Sequence, residues 1–292
     1  MELVKPSWLR IRPEASTNFD PIKQALRSRN LVTVCEEAHC PNMAECWHQA
    51  KTATFMVMGD TCTRGCKFCA VKKSSRGQPL DPLEPESIAA AAAEMGLDYV
   101  VITSVDRDDL PDQGANHFAA CIAACKAHGL LVEVLTPDFR GDPDCIKIVA
   151  DAKPDVFAHN IEQVERLQTI RDPRAGYLQS IGVLKTVKSI HPKIFTKSAI
   201  MVGLGETREE MLQAMKDLRE ADCDFLTIGQ YLKPRNRFLK VHEYVKPETF
   251  DFYKEQGLAL GFRYVASGPF VRSSYRAGEL FVKSLLAKRT SG

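Results

Sequence analysis

The 292-residue sequence has no apolar run approaching the roughly 18 residues of a membrane-spanning helix. Its most apolar stretch, Ser87-Ile88 followed by five alanines, is soon interrupted by Glu94. The opening MELVKPSWLRIRPEAS carries charges and prolines where a signal peptide needs an apolar centre. An excess of one charge is missing too. The 39 basic and 37 acidic residues leave a net charge of +2, which argues against a chain held to nucleic acid by bulk electrostatics. With 17 glycines and 16 prolines, collagen-like and low-complexity architectures are excluded. These absences point to a cytoplasmic protein, or one in an equally reducing compartment, with neither nucleic acid nor membrane as partner. Ten cysteines then require an explanation, because disulfides are rare there and thiolates usually signal metal, catalysis or burial.

Three regions follow from patterning. Residues 1–50 form an N-terminal extension without clear periodicity, with three cysteines packed into twelve positions. Residues 51–267 alternate short β-rich runs with helical stretches. The expected strands are Thr54–Met58, Tyr99–Thr103, Leu131–Thr136, Asp155–His159, Phe195–Val202, Phe225–Gly229 and Arg263–Ala266. The expected helices are Pro85–Met95, Asn116–His128, Pro143–Ala152, Ile161–Ile170, Tyr177–Ile190, Arg208–Ala221 and Glu248–Leu260. Pro85 and Pro143 suit a first helical turn, and Thr207 with Glu210 reads as a capping box. Gly96, Gly129 and Gly261 fall where helices stop. Repeated strand–helix units imply parallel strands with right-handed crossovers. The expected fold class is α/β, a partial TIM-type (β/α)6 barrel followed by a polar, basic tail over residues 268–292.

Cys62, Cys66 and Cys69 form CTRGCKFC directly after the first strand, at the barrel face where active sites are built. Three thiolates on a short loop can hold three corners of a cubane iron–sulfur cluster and leave one iron open to a ligand. Zinc sites favour separated C-x2-C pairs, which this triplet lacks. A second triplet, Cys35, Cys40 and Cys46 in CEEAHCPNMAEC, precedes the barrel without a fourth cysteine nearby.

The C-x3-C-x2-C loop with Phe68 before its last cysteine resembles the radical S-adenosylmethionine enzymes. That resemblance implies a [4Fe-4S] cluster on Cys62, Cys66 and Cys69, whose open iron binds the methionine end of S-adenosylmethionine, and a 5′-deoxyadenosyl radical as oxidant. The second triplet narrows the likeness to the lipoyl synthase family. So do Lys5-Pro6-Ser7-Trp8-Leu9, Thr103–Asp109, His159-Asn160-Ile161-Glu162, Met201–Glu206 and Arg272-Ser273-Ser274-Tyr275. The likeness implies an auxiliary [4Fe-4S] cluster on Cys35, Cys40, Cys46 and a terminal serine, Ser274 or alternatively Ser273. It also implies insertion of two sulfurs at C6 and C8 of a protein-bound octanoyl-lysine, with that cluster consumed as the sulfur source. An alkoxide is a harder ligand than thiolate, so a serine corner is suited to opening.

The implied partners are octanoylated lipoyl carrier domains (a glycine cleavage H protein or a 2-oxoacid dehydrogenase E2), an electron donor such as ferredoxin or flavodoxin, and an iron–sulfur carrier that rebuilds the cluster. Ser104, Asp106, Asn160, Glu162 and Gly205 are candidate contacts to S-adenosylmethionine. Asn160 and Glu162 would serve equally as a helix cap and first-turn acid. Asp108 and Asp109 read as a solvated turn. Cys121 and Cys125 share an apolar helix face and read as buried, as do the isolated Cys145 and Cys223. Lys233, Arg235, Arg237 and Lys240 form a basic stretch suited either to a solvated face or to an acidic partner. Another two-cluster sulfur-transfer enzyme, of methylthiotransferase type, and a noncatalytic electron carrier are the competing readings.

Overall fold

The computed structural model describes residues 3–9, 26, 27, 29, 31–34, 46, 52–234 and 238–274. Cys35 and Cys40, the rest of the N-terminal extension and the tail beyond Ser274 lie outside them. Strands β1 (Val32–Thr33) and β2 (Thr52–Val57) pair antiparallel. The short β3 (Thr61–Cys62) and β4 (Lys72–Lys73) bracket the cysteine loop. Then β5 (Tyr99–Ser104), β6 (Leu131–Leu135), β7 (Val156–Ala158), β8 (Phe195–Val202), β9 (Phe225–Gln230) and β10 (Tyr264–Gly268) follow in chain order. The main sheet runs β1-β2-β5-β6-β7-β8-β9-β10, parallel from β2 onward. Its ends, β1 and β10, do not pair with each other among the described residues, so the barrel is partial.

Helices α1 (Glu84–Glu94), α2 (Ala115–Ala127), α3 (Pro143–Asp151), α4 (Tyr177–Ile190), α5 (Arg208–Glu220) and α6 (Pro247–Ala259) occupy the six crossovers. Their ends carry the devices visible in the sequence. The Thr207–Glu210 capping box opens α5, Asp142 caps α3 ahead of Pro143, and Gly96, Gly129 and Gly261 adopt positive φ after their helices. One expected helix is absent. Ile161–Ile170 contains only a 3-10 turn at Glu165–Ile170, because Glu162 takes φ 65° and its backbone pairs with Ala199 and Met201 of β8. The apolar residues Ile161, Val164, Leu167 and Ile170 recur every three positions, the period of a 3-10 helix rather than an α-helix.

Alternation along the strands divides the apolar residues between two sides. On β5, Val100 and Ile102 face outward into the core beneath α1–α3, whereas Tyr99 and Val101 cluster with Val156, Phe195 and Phe225 inside the barrel. A second outer core lies beneath α5 and α6, around Met211, Met215, Leu218 and Phe250. The interior also holds a charged pair. Lys197 Nζ meets both oxygens of Glu133 at 2.8 and 3.0 Å, and the Tyr99 hydroxyl donates to Glu133 at 2.7 Å. At 4% and 3% side-chain exposure, neither charge has access to water to replace its partner. Gly229 on β9 permits the closest crossing: a Cβ there would stand 2.1 Å from the Val271 carbonyl oxygen, where the chain leaves β10 for the tail.

Lys197→Met strands Glu133 and should cost about 3–5 kcal/mol, whereas Lys197→Met with Glu133→Leu should regain most of it. Urea unfolding of the two variants measures this; equal losses in both would contradict a buried-pair origin.

Candidate active site

The loop after β2 lies over the C-terminal mouth of the barrel, and its three cysteines border one cavity of about 200 Å³. Phe68, Ser104, Asp106, Asn160 and Glu162 line the same space, together with Arg64, Asp138, His159 and Arg171. Thus eight sequence candidates from three separate segments converge. Gly205 is not in the lining; it lies in the turn after β8 with φ 104°, close to the imidazole of His242. Cys46 is buried, packing into the core with Leu26 and Leu31, and Ser274 is half-buried at the end of the described tail.

The loop is held from beneath by one cation. The Arg64 side chain is 3% exposed and forms a two-point contact with Asp108, through Nε and Nη2 at 2.9 Å each. Its Nη1 reaches Asp138 at 2.7 Å, and its Nε lies 3.3 Å from Asp106. Arg64 therefore fastens the loop after β2 to the loops after β5 and β6. Asp108 also receives Arg140 and Arg174, at 2.9 and 3.2 Å. Burial works to raise the Asp108 carboxyl, but the hydrogen bonds from Arg64, Thr63 and Arg140 prevail and hold it at about 2. Asp109 pairs with Arg107 at 2.9 Å. The expected solvated turn is thus an enclosed ionic network, because arginines distant in sequence reach it.

A second clamp comes from the segment after the 3-10 turn. Asp172 accepts from the Gly65 amide at 2.6 Å, while its own amide donates to Cys66 Sγ at 3.3 Å. Arg174 binds Asp172 and the Thr63 carbonyl, and the Ile170 carbonyl accepts from the Lys67 amide. Sequence reasoning missed these residues. The Arg171-Asp172-Pro173-Arg174 run was the available signal, a dense charge cluster in a loop bordering the active face.

The cavity suits the cofactors implied by its cysteines. Backbone amides of Arg64, Asp172 and Val71 donate to Cys62, Cys66 and Cys69, the donor environment that stabilises metal-bound thiolates. Among the described residues no three His, Cys, Asp or Glu side chains converge on a single ion position. Three thiols spread around a cavity match a cluster with separately ligated irons. Ser104 Oγ is buried at the cavity wall without a hydrogen-bond partner, leaving a polar position for a ligand to satisfy. Burial, reinforced by Asp106, pushes the Cys62 thiol up to about 12, and burial takes Cys66 to about 11. Metal ligation reverses that preference by stabilising the thiolate.

Two carboxyls at the cavity are shifted upward. Burial raises both Asp106 and Glu162 despite the opposing charges of Arg64 and Arg171 respectively. Glu162 accepts from Asn160 Nδ2 at 3.1 Å, and no helix begins at either residue, so the helix-cap alternative is not realised. His159 donates from Nδ1 to the Thr136 carbonyl at 2.9 Å and accepts at Nε2 from Ser180, whose oxygen accepts in turn from Arg171. Burial, with Arg171 adding to it, lowers His159 to about 4 and keeps the ring neutral.

Comparison with known proteins agrees with this geometry. The family model of the radical SAM superfamily matches residues 56–218, and that of the N-terminal domain of lipoyl synthase matches residues 2–40. A methylornithine synthase structure superposes with a TM-score of 0.56, covering 93% of this chain and 92% of that one at 12% identity. The FeFe-hydrogenase maturase of Carboxydothermus hydrogenoformans gives 0.56, with 92% and 78% covered at 12% identity. Both likenesses speak for the fold alone. The chain is a member of the radical SAM superfamily.

Its sequence relatives are more specific. A lipoyl synthase of Anaeromyxobacter sp. (strain Fw109-5) is 57% identical over 290 residues, 99% of this chain and 98% of that protein. A chloroplastic lipoyl synthase of Arabidopsis thaliana is 56% identical, with 98% and 75% covered. A mitochondrial one of Aedes aegypti is 55% identical, with 97% and 74% covered. This chain belongs to the lipoyl synthase family. It is a radical SAM sulfurtransferase whose cofactors are S-adenosylmethionine and [4Fe-4S] clusters, an auxiliary cluster included. No helix among the described residues is long and apolar enough to cross a membrane.

Replacing Arg64 by methionine leaves three carboxylates without their shared cation, for an expected loss of about 3–5 kcal/mol in chemical unfolding. Conservation of wild-type stability would show that the network does not anchor the loop. His159 predicts a separate pH effect. Its folded pKa lies below the unfolded value, so the unfolded chain takes up the proton first as pH falls below about 6.5. Stability present above that pH is lost on descent toward pH 4. Between pH 7 and pH 5 the cluster-free protein should lose about 2 kcal/mol, and His159→Gln should flatten that decline. Parallel pH profiles for the two proteins would rule this out.

Proposed function

We propose that this chain inserts sulfur at C6 and C8 of an octanoyl group carried on a lysine of a lipoyl carrier domain. Cys62, Cys66 and Cys69 hold the cluster that binds S-adenosylmethionine, and Cys35, Cys40, Cys46 and Ser274 hold the auxiliary cluster that supplies sulfur. Residues 1–50 and 268–292 act as two attachments flanking a barrel over 51–267. The family match over residues 2–40, which takes in Cys35 and Cys40, supports a dedicated N-terminal unit. Ser273 is the alternative oxygen ligand. The carrier is a glycine cleavage H protein or a 2-oxoacid dehydrogenase E2, a flavodoxin or ferredoxin supplies electrons, and an iron–sulfur carrier rebuilds the spent cluster. A cytoplasmic or equally reducing compartment suits this cofactor set.

The observation that carries this reading is the convergence of the three thiols, an orphaned Ser104 hydroxyl and the carboxyls of Asp106 and Glu162 on one cavity. Methylene C–H bonds of an acyl chain are too weakly acidic for any side chain to deprotonate. When bound, the cluster with S-adenosylmethionine supplies a carbon radical that removes such hydrogens. The protein's own groups bind and orient. Ser104 offers an unsatisfied hydroxyl to the cosubstrate, and Asp106 and Glu162 present polar edges to the cavity. Phe68 contributes an apolar face. His159 is neutral with both nitrogens engaged, so it shapes the wall and moves no proton.

Anaerobic purification and reconstitution should yield about eight irons per chain, the content of two cubanes. With dithionite, S-adenosylmethionine and an octanoyl-lysine peptide, the protein should release 5′-deoxyadenosine and form first a 6-thio and then a 6,8-dithio product. Ser274→Ala should retain cofactor cleavage and lose most sulfur insertion. Cleavage without any thiolated peptide would exclude the substrate, and full insertion by the variant would exclude Ser274 as ligand.

A further inference from the structure

A second concavity, of about 680 Å³, lies on the other side of the cysteine loop. It is lined by Gly65, Lys67, Cys69, Val71, Lys72 and Lys73 on one bank and by Phe238 and Leu239 on the other. Three of these, Cys69, Val71 and Lys73, also line the active-site cavity. They therefore border both spaces. One of the three thiols touches the reaction chamber and the second groove alike.

The groove has a pronounced charge. Between Gly65 and Leu80 the sequence contains four basic residues, Lys67, Lys72, Lys73 and Arg76, and no acidic one. All four are exposed. Lys73 spans back to the Cys66 carbonyl at 2.8 Å and Lys72 contacts Asp60 at 2.9 Å, so these side chains are held near the rim. The opposite bank belongs to the basic stretch noted in the sequence. Phe238 and Leu239 supply an apolar strip there, and the exposed Lys240 follows it. Arg235 and Arg237 lie outside the described residues. A polar, positively charged rim around a small apolar centre is the anatomy of a transient protein interface with an acidic partner.

The geometry points to this groove as the docking surface for an acidic one-electron carrier protein. Here the inference rests on the assignment of Cys69 as a cluster ligand. An acyl-bearing domain must pass a whole chain into the cavity. An electron needs only a short covalent bridge, and the Cys69 sulfur provides it. The balance is simple. The carrier would be oxidised by one electron, the cluster that the three thiolates would hold would be reduced by one, and no proton or atom would cross. Cosubstrate in the inner cavity is left undisturbed while the donor docks at the groove.

The test uses the reconstituted full-length protein with reduced flavodoxin as donor and 5′-deoxyadenosine as the readout. Lys67→Glu with Lys72→Glu should raise the flavodoxin concentration for half-maximal rate about tenfold, and added salt should weaken the wild type more than the variant. With dithionite, which needs no docking surface, the two proteins should agree within about twofold. The charge-preserving Lys67→Arg with Lys72→Arg should behave as wild type. An unchanged flavodoxin dependence would overturn the assignment. So would an equal loss with dithionite, which would locate the damage in the cysteine loop. A weakened response to octanoylated carrier domain with normal flavodoxin dependence would give the groove to the carrier instead. Failure of the wild type to thiolate peptide with dithionite bears on the proposed substrate alone, because flavodoxin docking is read from cofactor cleavage.

Discussion

One guanidinium buried among three carboxylates sets the position of the reactive loop. Arg64 lies inside the run that carries the cysteines, and Asp106, Asp108 and Asp138 come from the ends of the next two strands. Parallel strands deliver their C-terminal loops to one face, but they do not by themselves fix the loops' relative heights. A short polar tie does. Its cost is desolvation of several charges, tolerable here because two of the carboxylates have further donors: Thr63 and Arg140 for Asp108, and Gln179 and the Arg140 amide for Asp138. The network trades some stability for a loop that presents three thiols rigidly.

Interior polarity follows the same logic lower in the barrel. Lys197, Glu133 and Tyr99 fill space that apolar side chains could fill, and satisfy one another completely enough to stay dry. Above them Thr103 and Leu135 continue the inward columns of β5 and β6 to the cavity. The reaction chamber is therefore a shallow cup over a packed floor.

Much of this was legible in the sequence, and the limits are physical. The seven parallel strands were readable because buried parallel strands are short apolar runs with distinct boundaries. Six helices were readable from their caps and stop glycines. The Ile161–Ile170 segment misled because its threefold apolar spacing also fits one face of an α-helix over a short window. Glu162 settled the matter by pairing with β8, a long-range contact no local pattern reveals. The site divides the same way. Ligand-type residues at fixed spacing announced themselves, whereas Asp108, Asp138, Asp172 and Arg174 gain their meaning only when loops distant in sequence meet.

Gly229 shows how a position without chemistry can still be decisive. A carbonyl of the departing chain occupies the volume that any side chain would need. The vacancy works as a gauge: it sets how near the terminal segment approaches the sheet, and through that the height at which the serine pair of the tail begins. Even a single methyl group would lift the segment bodily, so the hydrogen atom at residue 229 seats the tail as firmly as any side chain could.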